Sequence, residues 1–209
     1  MHEYEPPSVS PPPEPANLYA PPKAVVTNQV SAETVPQFYV VAPWKCMLLY
    51  FGTVGFYHLY WFWKHWALQR DRHGLTIWPV PRAFFSIFFA HALNSHVDEQ
   101  LARRGVAYRW SPGGWATLYV IASIAGRILD RLVMQGIGWP TTDILSLLVL
   151  LPIGLSLLQA QRAANTACGD PAGAGNRRLT AANCIWLFFF GLLWLLILLG
   201  VVLSPEELA

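Results

Sequence analysis

Charged side chains are scarce in this sequence: 12% of its residues, against about 25% in an ordinary soluble domain. Hydrophobic residues make up 54%. So little charge cannot coat a water-soluble particle of 209 residues, which excludes an ordinary cytosolic globule. The net charge of +2 is too small for a nucleic-acid partner. Cysteine is also rare. Cys46, Cys168 and Cys184 are odd in number and lack metal or redox spacing, so no disulfide framework is expected. The opening MHEYEPPSVSPPPEP has neither a basic stretch nor an apolar one, so no signal peptide is expected.

Catalytic signatures are missing too. There is no Gly-x-Ser-x-Gly, no Walker lysine loop and no dinucleotide fingerprint. His58, His65, His91 and His96 stand at spacings that do not make a shared ligand face, and no His-x-x-x-His or Glu-x-x-His occurs. A non-enzymatic protein without metal or cofactor is the expectation.

What the sequence has in abundance is apolar and aromatic residues. Ten Trp, eight Tyr and eleven Phe are typical of membrane interfaces. Residues 1–37 differ: eight prolines fall between Pro6 and Pro22, and this segment is expected to be a disordered tail. Residues 38–209 are expected to be an all-α membrane bundle. Backbone groups have no water partner in lipid, so apolar segments there become helical. Apolar helices are expected at about 46–66, 113–133, 142–162 and 183–203, each close to the roughly 20 residues a crossing needs. A fifth, at 82–97, is solidly apolar only from Ala83 to Leu93 and reads as short and interfacial or re-entrant. Pro152 should kink the 142–162 helix, and Gly136–Thr142 should form a tight turn between antiparallel helices.

Positive charge prefers the cytoplasm. Arg162, Arg177 and Arg178 precede the last helix, while Glu206 and Glu207 follow it, so that helix should run outward. Arg103, Arg104 and Arg109 should also be inside, as should the segment from Lys64 to Arg82. Both basic segments are inside only if the short helix between them does not cross. That gives four crossings with both termini outside. The alternative lets 77–97 cross, giving five crossings with the N-terminus inside.

The stretch FGTVGFYHLYWFW carries Thr53, Gly55, Phe56, Tyr57, Tyr60 and Trp61. It resembles the first apolar helix of a group of uncharacterised bacterial multi-span membrane proteins that share threonine-x-glycine-apolar-tyrosine-x-x-tyrosine-tryptophan. WPVPRAFFSIFF also looks like that group. The resemblance implies a bacterial inner-membrane protein but no particular mechanism, because the group has no established activity. On one continuous helix, Thr53, Tyr57, Tyr60 and Trp61 would share a side, suited to helix packing and interface anchoring.

The most costly polar residues are Arg127, Asp130 and Arg131, inside an otherwise apolar helix. Asp130 is three residues from Arg127, so a pair along one face is expected. Ala122, Gly126 and Asp130 form a stripe that would turn the pair toward another helix. Three roles remain: a structural or interacting membrane protein, a small transporter or channel subunit, and a membrane-embedded enzyme. The expected partners are the lipid bilayer and other membrane proteins or further copies of the chain.

Overall fold

The computed structural model describes residues 37–203. The expected disordered tail lies outside the described residues apart from its last position, and Glu206 and Glu207 lie outside them too. Every regular element among the described residues is helical. In chain order these are α1 (Pro43–Gly52), α2 (Tyr57–His73), α3 (Pro79–Phe84), α4 (Ser86–Arg103), α5 (Pro112–Met134), α6 (Thr141–Leu148), α7 (Leu150–Ala167), a 3-10 turn (Ala174–Asn176) and α8 (Ala181–Val202).

Local chemistry sets most of the boundaries. Prolines open α1, α3 and α5, where a missing N–H costs nothing. Ser111 caps α5 by accepting from the Gly114 N–H, and Thr180 and Asn183 form a capping box on α8. Gly74, in the left-handed region, closes α2. The α6–α7 run is interrupted at Val149, three residues before Pro152. Pro152 has no N–H for the Leu148 carbonyl, and its ring crowds that carbonyl. The turn expected at Gly136–Thr142 joins α5 to α6.

The expected helix at 46–66 is not continuous. It is divided at residues 53–56, where Val54 has φ 51° and Gly55 has φ 83°. The Gly55 N–H donates to the Tyr50 carbonyl at 2.8 Å, and the Phe56 N–H to the Thr53 carbonyl at 3.0 Å, which reverses the chain. Long-range bonds fix the direction of both arms. At the start of α1, Lys45 Nζ donates to Asn176 Oδ1 and to the Arg178 carbonyl, each at 2.7 Å. Near the end of α2, Gln69 donates to the Gln37 carbonyl at 2.8 Å. Both open ends of the hairpin thus lie together, while Gly55 at its tip meets Leu150 at the beginning of α7. The 82–97 helix also changes shape: it becomes the short α3 and then the 18-residue α4, which continues to Arg103.

In this hairpin residues 46–66 are not the one continuous helix that both the four-crossing and the five-crossing paths use as their first crossing. The hairpin also gathers the basic segments. Arg104 donates to the Ala167 carbonyl at 2.7 Å, and Arg72 and Arg104 both act on Cys168. Residues 70–72, 103–104 and 168–178 therefore share one end of the molecule with Lys45.

The core sits at that same end. Phe38, Trp61, Trp66, Leu93, Val97, Leu157 and Ala164 are all buried in it. Within it, Gly173 (φ 64°) lets its loop touch the backbone: a Cβ there would collide with the Val41 carbonyl carbon. The other half of the molecule is bare. No residue of α6 or α8 is buried, and Ile121, Ile124, Ile128, Leu148, Phe188, Leu195 and Leu196 are exposed. A broad apolar surface of this kind marks a membrane or protein partner. Two helical runs, Thr141–Ala167 and Ala181–Val202, are long and apolar enough to cross a membrane. At about 1.5 Å per residue, α5 is of matching length, but it carries Arg127, Asp130 and Arg131.

Candidate functional site

Directly beyond the hairpin tip lies a cavity of about 440 Å³. Its floor is Val54, Gly55, Phe56, His58 and Leu59, with Phe84, Ser86 and Ile87 beside it. The walls are α5, through Tyr119, Ser123, Gly126, Arg127 and Asp130, and the α6–α7 run from Ser146 to Ile153. Most of the lining is aliphatic or aromatic. The polar groups converge from three directions: His58 from the tip, Ser86 from α4, and the serines and charges from α5 and α6.

Each polar group has a traceable position. His58 Nδ1 lies 2.8 Å from the Gly55 carbonyl, so the carbonyl selects the Nδ1–H tautomer and leaves Nε2 as an acceptor. The Ser86 and Tyr119 hydroxyls are 2.6 Å apart. Ser146 Oγ donates to Asp130 Oδ1. Gly126 allows the close approach of α6–α7: a Cβ there would stand 3.2 Å from Val149 Cγ1. The stripe of Ala122, Gly126 and Asp130 does turn toward another helix, at Val149 and Ser146.

The expected Arg127–Asp130 ion pair does not form. Among the described residues the salt bridges are Arg70–Asp71, His96–Glu99 and Arg103–Glu99. Asp130 is taken by Ser146, a neutral donor on the facing helix. Arg127 is exposed and lines the cavity. Arg131, also exposed, is not part of the lining.

The motif residues are split by the chain reversal. Thr53 caps α1 and does not share a helix side with the others: its Oγ1 donates to the Leu49 carbonyl at 2.7 Å and accepts from the Tyr57 N–H at 2.9 Å. Gly55 supplies the left-handed turn. Tyr57 is buried, with its hydroxyl 3.4 Å from that of Tyr39. Tyr60 is exposed and stacks edge-on to Tyr39. Trp61 is buried and donates from Nε1 to Gln161 Oε1. Thr53, Tyr57 and Tyr60 also line a second cavity of about 450 Å³, closed on its far side by Trp186 and Phe190 of α8.

The four histidines are dispersed. His65 is packed on Trp61 with ring centroids 4.2 Å apart, His91 faces Thr117, and His96 faces Glu99. Among the described residues no three His, Cys, Asp or Glu side chains are grouped to hold a metal. The three cysteines are free thiols.

Sequence reasoning missed the serines of the cavity and the buried amide pair of α7. Gln161 donates to the Tyr39 carbonyl at 2.8 Å, and Asn165 binds both backbone groups of Val41. Their signal was present: two amides four residues apart share one helix face. No protein-family model matches the chain, and no curated protein or solved structure matches it either.

Proposed function

We propose that this chain is a multi-pass protein of a bacterial inner membrane that binds a small solute in the cavity beyond the hairpin tip. The three crossings are α5, α6–α7 and α8. The α1–α4 layer enters part-way from the cytoplasmic end and returns. The gathering of Lys45, Arg72, Arg104 and Arg178 at one end supports this orientation, because basic segments stay on the cytoplasmic side. The N-terminal part of the described chain then lies inside and the end of α8 outside. Likeness of the Thr53 to Trp61 stretch to the uncharacterised multi-span group agrees with the setting.

One observation carries the solute reading. Arg127 and Asp130 line a cavity instead of pairing with each other. Charges within a membrane helix are costly, and they persist where they face a polar path or ligand. A purely structural helix would satisfy the two by pairing them. The cavity volume falls within the range of about 300–1,000 Å³ usual for ligand sites.

The test is solvent access. Ser123 lies in the wall, so Ser123→Cys is introduced into the full chain with Cys46, Cys168 and Cys184 replaced by alanine. In proteoliposomes, a neutral water-soluble maleimide should label the introduced thiol without detergent. Labelling seen only after solubilisation would mean that lipid or protein seals the cavity, and the solute reading would fall.

A further inference from the structure

We propose that the cavity takes an anionic group on an apolar body, a carboxylate or phosphate amphiphile, with Arg127 as its counter-charge. This rests on reading the cavity as a ligand site. The two charges in its wall are not equivalent. Asp130 already accepts a hydrogen bond from Ser146 on the facing helix. The Arg127 guanidinium has no hydrogen bond or ion pair among the described residues. It offers five donors in a planar fork that matches carboxylate and phosphate oxygens.

The surroundings sharpen that preference. Leu59, Phe84, Ile87, Leu150 and Ile153 make most of the remaining wall apolar. A carboxylate or phosphate can meet the exposed guanidinium by paired charge-assisted bonds, which are stronger than neutral ones. The same wall accepts a hydrocarbon body and gives nothing to a small hydrated anion. His58, with Nε2 as an acceptor, and Ser123 line the same cavity, and a singly protonated phosphate has a hydroxyl to offer them. A cationic ligand at Asp130 would lie in the same cavity as the Arg127 guanidinium and be repelled by it.

The experiment uses the full chain carrying Ser123→Cys, with its three native cysteines replaced, in nanodiscs of phosphatidylcholine alone. The rate of maleimide labelling is measured with decanoate, decyl phosphate, decanol or decyltrimethylammonium. Decanoate or decyl phosphate should slow labelling by about tenfold, the size expected of a charge-assisted contact. Decanol and decyltrimethylammonium should have little effect. Arg127→Gln should abolish the protection, and Arg127→Lys should keep part of it. A parallel arm replaces some of the lipid with phosphatidylglycerol. Slow labelling there without added amphiphile identifies a lipid headgroup as the source of the anion; fast labelling identifies a free amphiphile. Equal protection by all four compounds, or protection unchanged in Arg127→Gln, overturns the proposal while leaving the cavity reading intact. Should Arg127→Gln fail to fold, the ranking of the four compounds on the unaltered Arg127 decides alone. Absence of any labelling by the neutral reagent removes the cavity reading and this proposal with it.

Discussion

Asn165 grips Val41 by both backbone groups, across 124 residues of chain: its Oδ1 accepts from the Val41 N–H at 3.3 Å, and its Nδ2 donates to the Val41 carbonyl at 2.9 Å. The asparagine is fully buried. In effect α7 provides one rung of sheet-like pairing to an extended segment that has no strand partner. Gln161, one turn earlier, donates to Asn165 Oδ1 at 2.7 Å and so fixes which end of the amide faces which backbone group.

Removing that amide should therefore unmoor residues 37–42. Asn165→Ala leaves a buried N–H and a buried carbonyl without partners, and each orphaned group costs about 1–3 kcal/mol. Thermal unfolding of the detergent-solubilised protein should show a clear loss of stability, and protease should gain access near Val41. Asn165→Asp loses the donor and sets a buried carboxylate against the Val41 carbonyl, so it should be destabilised at least as clearly. A variant as stable as the parent would show that this contact contributes nothing.

Thr53 makes a second prediction, about the turn. Its hydroxyl is both donor and acceptor between the end of α1 and the start of α2. Thr53→Val keeps the shape and deletes both bonds, so it should cost roughly 1–2 kcal/mol. Thr53→Ser should retain most of the stability. Equal behaviour of Val and Ser in a chemical-unfolding series would assign the position to packing alone.

This turn also shows why the sequence was only half legible. The apolar content of residues 46–66 was plain, and so were the long helices at α5, α6–α7 and α8. Chain reversal was not. Gly55 is compatible with helix packing as well as with a left-handed turn, and hydrophobicity does not distinguish a crossing helix from two short ones folded together. The deciding contacts, Lys45 to Asn176 and Gln69 to Gln37, are long-range or involve backbone groups. Arg127 and Asp130 were visible as costly residues, yet their separation depends on Ser146, sixteen residues away on another helix. The charge bias favoured placing both basic segments together, and Arg72 and Arg104 do lie at one end of the molecule.

A third prediction concerns acid. The Asp170 carboxylate accepts from the Gly175 and Ala174 N–H groups, both at 2.9 Å, and these bonds hold its pKa below the ordinary value. A carboxyl depressed in the folded state stabilises that state above its unfolded pKa, about 3.9. The contribution disappears as pH falls through the folded value. Asp170→Asn should thus lower the melting temperature at pH 7 and have less effect at pH 3. The difference should be modest, since the carboxylate is partly solvated. A gap between parent and variant that is constant from pH 7 to pH 3 would contradict the role of the charge.

The last prediction separates the two partners available to Asp130. The sequence favours Arg127, three residues away on the same helix; the structure gives the carboxylate to Ser146 on α6. Two double-mutant cycles compare them, Asp130→Asn with Ser146→Ala and Asp130→Asn with Arg127→Gln. A hydrogen bond to a charged acceptor contributes roughly 1.5–3 kcal/mol where water is kept out, and less where it competes. The Asp130–Ser146 cycle should show a coupling of about 1 kcal/mol or more, because the bond ties α5 to α6 beside Gly126. The Asp130–Arg127 cycle should show under about 0.5 kcal/mol, as for exposed charges that do not touch. Arg131 is kept unchanged in both cycles, since it is exposed and outside the cavity wall. If the second coupling exceeds the first, the charges pair along α5 in solution, Arg127 is not available to a ligand, and the cavity loses the group on which its anion preference depends.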